Sequence, residues 1–346
     1  MGELPNDMKM AACLAGELPN SAHYFSTFAN VNADDANDIT KTFGLKGSGA
    51  DWQPFEYSKR VQDAKDVAKE AKTIKKGNQS DQRKRNLLTA YIRSLGSRQE
   101  FEPLVQEYVD LMKCEPLHLK NNTCKDLFMS LLKIVFVEAK ISSCKNVSDV
   151  PEGNIFLDFL EFVHHKMNCN FLKKKLVKWF NDNSGNIEKD FSFRFRGKES
   201  YGYLKHFPKL IQMLMNKNIS KSSKEKLAQF HFISINHRKM ISFMVRIVSI
   251  DNDILADMKS TARKLFVACC LFTKSISPSM WTVCNVASVQ AEICFKQYGM
   301  GLGCVTMEGR EQKHQKIEKY SQNTTFQCRW PQIFRHEFIQ LFLVHI

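Results

Sequence analysis

Apolar residues recur at intervals of three and four along most of this chain, the spacing that gathers them on one face of an α-helix. Only 190–196 (DFSFRFR) alternates polar and aromatic residues as a half-buried strand does. A chain patterned this way is expected to be mainly α, since a complete α/β sheet needs several strand-like runs. Helical spacing marks 59–76, where Val61, Ala64, Val67, Ala68 and Ala71 share a face. It returns in 87–95, 101–112, 125–139 and the long stretch 156–180. Further helices are predicted over 200–215, 224–232, 254–272, 280–298, 308–320 and 332–343, with Pro331 in the first turn of the last. Near the start an apolar helical stretch runs from Asp7 toward Leu18, with Gly16 and Pro19 as stop signals. Small, polar and acidic residues dominate 30–51, which reads as a loop or linker.

Hydrophobic residues make up 43% of the chain, with 26 Phe, so a core is available and general disorder is excluded. Fifty Lys and Arg against 36 Asp and Glu leave a formal charge of +14. Such an excess attracts polyanions, nucleic acid above all, although scattered lysines on a soluble protein produce the same number. Two basic runs stand out. Lys173, Lys174, Lys175 and Lys178 surround Leu176 and Trp179 on a predicted helix, and 75–85 (KKGNQSDQRKR) is a turn-containing connector with Arg83, Lys84 and Arg85 at its end. Each reads either as a phosphate-binding surface or as a solvated face.

Eleven cysteines with no C-x-x-C pair and no zinc-finger spacing indicate neither a disulfide framework nor a zinc module. The segment 8–18 lacks a basic flank and is too short to span a membrane, and the apolar 265–272 and 283–289 are separated by Lys274 and Pro278. The expectation is a reduced, intracellular protein with no membrane partner. There is no Walker A sequence, no serine elbow and no His-Glu-x-x-His. Gly299, Gly301 and Gly303 lack the strand-turn-helix context of a dinucleotide site, and the adjacent His164 and His165 diverge on a helix. Cys269 and Cys270 read as small apolar residues of a buried helix.

Three stretches carry a resemblance. The first is 303–335, GCVTMEGREQKHQKIEKYSQNTTFQCRWPQIFR; the second is 193–210, FRFRGKESYGYLKHFPKL; the third is 6–31, NDMKMAACLAGELPNSAHYFSTFANV. Together they resemble the C-terminal part of DDE-type transposases of the Transib group and of the catalytic subunit of the V(D)J recombinase. In that resemblance Glu311 takes the position of the last metal-binding glutamate, with Glu308 an acidic neighbour one helical turn earlier. Asp7 matches the second catalytic aspartate, Gly16 a following glycine and Tyr24 an aromatic ahead of a Cys-x-x-Cys pair. A Leu-His stretch at 117–121 is similar to one downstream in the family.

The resemblance implies Mg²⁺ or Mn²⁺ held by three carboxylates, two-metal cleavage and joining of double-stranded DNA, and a nuclear location. It also implies a fold: a remnant of an RNase H-like α/β core at 1–31, a loop at 32–58, a helical insertion at 59–185 continuing through 186–299, and C-terminal helices at 300–346. The family's zinc ligands are largely gone. Ser26 and Ala29 stand where the two cysteines would be, Tyr201 falls near the first histidine, and only His206 matches the second. No structural zinc is expected. Only six residues precede Asp7, so the first aspartate is not encoded and Asp7 is expected to lack the strand that would fix it. The expectation is a transposase-derived DNA-binding protein that does not cleave DNA alone. The alternatives are a fragment of an active Mg²⁺-dependent transposase and a non-catalytic helical interaction protein, with the apolar 333–346 as a face for a homodimer.

Overall fold

The computed structural model describes residues 4–6, 8–41, 43, 52–183, 191–309, 331 and 333–335. Among these the order is β1 (Leu4–Asn6), α1 (Met8–Leu14), α2 (Tyr57–Lys75), α3 (Asp81–Ser94), β2 (Met112–Cys114), α4 (Pro116–Ala139), α5 (Ile155–Glu161) and α6 (Asn170–Asp182). Then follow α7 (Gly197–Met215), α8 (Lys221–Met244), α9 (Asn252–Phe272), α10 (Pro278–Asn285) and α11 (Ala287–Tyr298). The fold is mainly helical. The chain divides into two compact units, Met1–Val305 and Thr306–Ile346, and all of these elements lie in the first.

The centre of the first unit is α4. Pro116 sits in its first turn, where a missing N–H costs nothing, and the Glu115 carboxylate accepts from the Leu117 and His118 amides at 2.8 and 2.7 Å. Leu119, Phe128, Leu131, Leu132 and Val135 are sealed from solvent, because α5, α7, α8 and α10 pack around α4. The helices α7, α8 and α9 follow one another through short connections and pack as neighbours. Trp281 of α10 is wholly buried, edge-on to Trp52 at 5.1 Å and to Phe25 at 5.7 Å. The segments flanking 30–51 are therefore tied into the core by aromatic contacts. A smaller cluster of Leu18, Val67 and Ile92 supports the α2–α3 hairpin.

The two strands pair in parallel, Leu4 with Met112 through Asn6 with Cys114. The other edge of β2 is met by a side chain: the Cys114 amide donates to Gln290 Oε1 of α11 at 2.7 Å. Predicted helix 280–298 breaks at Val286, and α11 thereby turns Gln290 onto β2. Asp7 lies outside the described residues, and the three residues just before it form the short strand β1. After α1 the chain turns at Gly16, whose φ is +71° and whose carbonyl accepts from the Glu100 and Phe101 amides. A Cβ there would meet the Phe101 carbonyl oxygen at 2.4 Å, so only glycine fits.

Three other stretches differ from their sequence patterns. The run 101–112 is not an α-helix: Phe101 and Leu104 are exposed, a 3-10 turn covers Gln106–Leu111, and β2 begins at Met112. Pro103 removes a helical donor, and pairing with β1 claims the end of the segment. The stretch 156–180 splits into α5, a π turn at Phe162–Lys166, and α6, with Asn168 left-handed at φ +54° between them. Residues 191–196 join no strand pair among the described residues. Their alternation serves a strap: Phe191, Phe193 and Phe195 lie against Trp179, Phe171 and Phe128 respectively.

One polar knot is buried outright. Arg60 and Arg98 both converge on the Glu17 carboxylate, Arg60 also donates to the Thr27 carbonyl at 2.6 Å, and Thr27 donates to Glu17 at 2.8 Å. Glu17 is fully enclosed, and burial pulls the Arg98 pKa down, with Glu17 opposing and Arg60 reinforcing the shift.

Candidate nucleic-acid interface

The lysine run of 173–178 belongs to α6, which buries Leu172, Leu176 and Phe180 at four-residue spacing. That register turns Lys174, Lys175 and Lys178 outward, where they make no ion pair among the described residues. Lys173 differs, since its ammonium meets Glu161 at 2.5 Å. At the start of α6 the Phe171 ring is 55% exposed, and Lys175 Nζ lies 5.4 Å from its centroid.

Helix α7 adds a second row. It buries Tyr203, Phe207, Leu210 and Leu214, leaving Lys198, Tyr201, Lys205 and Lys209 in solvent. Tyr201 is 65% exposed and carries Lys205 Nζ at 5.7 Å. Gly202 lets α7 press on the turn before α6; a Cβ at that position would lie 2.8 Å from the Met167 carbonyl oxygen. His206 on the same helix has its pKa held below the ordinary imidazole value by burial, then by Lys205, Lys209 and Lys166. The π turn that carries Lys166 packs against both α6 and α7, which groups its lysine with theirs, and Arg194, Arg196 and Lys198 around the start of α7 are also exposed. The exposed acids of this surface are Glu161, paired with Lys173 and His165 at one border, and Asp182 at the end of α6. The sequence has no Asp or Glu from 162 to 178, and from 191 to 224 the single acid is Glu199, which is buried and accepts from the Arg196 amide.

The second basic run rides elsewhere. Arg83, Lys84 and Arg85 lie on α3, which packs on α2, whereas α6 packs on the turns at 147–149 and 162–166. Arg85 forks onto the Glu100 carboxylate and Lys84 donates to the Lys75 carbonyl at 3.2 Å, so Arg83 is the member of this run most open to a ligand.

Of the carboxylates singled out in the sequence, Asp7 and Glu311 lie outside the described residues. Glu308 is exposed at the start of a helical turn in the second unit. Among the described residues no group of three or more His, Cys, Asp and Glu side chains is arranged to hold a metal ion. Ser26 and Ala29, at the positions of the family's cysteines, are fully buried, and His206 stands among lysines. Glu115, which follows β2, is occupied in capping α4 and in a 2.6 Å contact with His118 Nδ1. No described helix is long and apolar enough to cross a membrane.

Sequence reasoning found the α6 lysines but not Phe171, Lys166, Lys205 or Lys209 as parts of the same surface. The available signal was an aromatic residue four positions ahead of a lysine, present in both α6 and α7, together with the missing acids. No family model matches this chain, and no curated protein matches it significantly.

Proposed function

We propose that this chain is a transposase-derived, nuclear DNA-binding protein of the DDE lineage, and that it holds double-stranded DNA through the α6–α7 surface. The observation carrying the proposal is that surface: Lys166, Lys174, Lys175, Lys178, Lys205 and Lys209 are exposed, outnumbering the exposed carboxylates beside them, Glu161 and Asp182. Cations spread over two helices and a turn contact phosphates without reading bases, which gives binding that falls steeply with salt. The lineage rests on the resemblance at 6–31, 193–210 and 303–335. It gains support from β1, which leads directly to Asp7 and runs parallel to β2, since parallel sheets carry ligand-binding residues at the carboxyl ends of their strands. An RNase H-like remnant is the reading of that strand pair that fits the resemblance.

The test is duplex affinity against salt, measured by fluorescence anisotropy for the full chain and for a Lys174→Gln/Lys175→Gln/Lys178→Gln variant. The variant is expected to bind more weakly, with a log–log salt slope shallower by about 2 to 3. Affinity that ignores salt, or an unchanged slope in the variant, overturns the proposal.

A further inference from the structure

A lone aromatic ring in solvent needs no ligand to explain it. Phe171 and Tyr201 are distinguished by repetition. Each is more than half exposed, each stands on the outer face of one of two consecutive helices, and each has a lysine one turn later over its ring. Helix α7 meets the turn before α6 where Gly202, next in sequence to Tyr201, approaches the carbonyl of Met167, four residues before Phe171. A flat π-face beside an ammonium matches one nucleotide, with the base on the ring and its phosphate on the cation. A duplex cannot use the rings, because its bases are already stacked inside. An unpaired strand can.

From this repeated arrangement we infer that the α6–α7 surface takes an unpaired nucleic-acid strand, stacking bases on Phe171 and Tyr201 while Lys175 and Lys205 hold the neighbouring phosphates. The inference rests on the reading of this surface as nucleic-acid-binding and adds the form of nucleic acid that it prefers. Phe171 packs against Phe193 at 6.1 Å between ring centres, tilted by 51°. The partner is committed by charge: the excess of exposed lysines and arginines over Glu161 and Asp182 disfavours a cationic partner and favours a polyanion carrying flat rings.

The experiment uses the full chain with a 20-nucleotide oligo-dT and a 20-base-pair duplex, read by anisotropy at one salt concentration. Wild type is expected to bind both. Phe171→Ala and Tyr201→Ala should each weaken oligo-dT binding about 5- to 100-fold and leave duplex binding within about 2-fold. A Phe171→Trp variant should keep oligo-dT affinity, and its tryptophan emission should be quenched on binding. Equal losses for both nucleic acids, or no loss for oligo-dT, overturn the inference while leaving the reading of the surface as nucleic-acid-binding in place. Binding of neither, or binding of phosphatidylserine vesicles in place of both, overturns the reading of the surface itself.

Discussion

Thr123 Oγ1 on α4 and His237 Nε2 on α8 stand 2.7 Å apart, with both side chains sealed from solvent. The threonine hydroxyl already donates to the Leu119 carbonyl at 2.7 Å, so the imidazole Nε2–H is the donor of this pair. Nδ1 is then an acceptor with no partner among the described residues, and burial lowers the His237 pKa to about 3.

A stability change with pH follows. In the unfolded chain the imidazole titrates at the ordinary 6.5, while the folded protein keeps it neutral down to about 3. The unfolded state therefore binds the extra proton first. Stability is complete above 6.5 and declines as pH falls toward 3, by about 1.4 kcal/mol per pH unit from this residue. Urea unfolding at several pH values should give a His237→Gln variant a flatter profile than wild type over that window. Parallel profiles would refute the assignment.

The Glu17 knot should be the most sensitive polar site in the first unit. Replacing Glu17 by Gln leaves the buried guanidiniums of Arg60 and Arg98 without their shared countercharge, at a cost of about 3–5 kcal/mol. Chemical denaturation followed by circular dichroism measures the loss. A second change, Arg98→Met, removes one of the two uncompensated charges and should recover part of it.

Binding of nucleic acid should take up a proton at His206. Partial burial, then the neighbouring lysines, lower the pKa of this imidazole in the free protein, and a phosphate nearby opposes that shift. Affinity for duplex should rise about 3- to 10-fold between pH 7.5 and 6. His206→Gln should remove most of that rise while binding at pH 7.5 stays close to wild type.

Two phenylalanines on the same aromatic ladder should part company. Phe195 is buried against Phe128 at 5.3 Å, so Phe195→Ala should cost about 3–5 kcal/mol of stability. Phe171 is half out in solvent, and Phe171→Ala should change stability by less than about 1 kcal/mol. Thermal melts of the two variants test the contrast directly.

Helices with unbroken local periodicity were legible from sequence. The helices at 59–76 and 254–272 end within a few residues of α2 and α9, because a 3.6-residue repeat is a property of neighbours in the chain. The breaks at Asn168 and Val286 were not legible, since the apolar spacing continues across both and the turns are imposed by packing. Strands of three residues carry too few positions to display alternation, and β1 and β2 find each other only across the fold. Arg60, Arg98 and Glu17 are far apart in the sequence, and no local pattern marks them as a buried group. At the interface, Lys174, Lys175 and Lys178 announced themselves as a run. Lys166, Lys205 and Lys209 joined them only once the π turn had brought α7 alongside.

The pairing of Leu4 with Met112 spans roughly a hundred residues, and closing a loop of that size costs about 4 kcal/mol of chain entropy. No local contact can offset that cost until α1 to α3 and the turn before β2 have found their places. During synthesis β1 emerges long before its partner strand exists. The segment at Asn6, directly ahead of Asp7, is consequently fixed late, and the timetable of folding at this end is set by residues past 112 rather than by its own sequence.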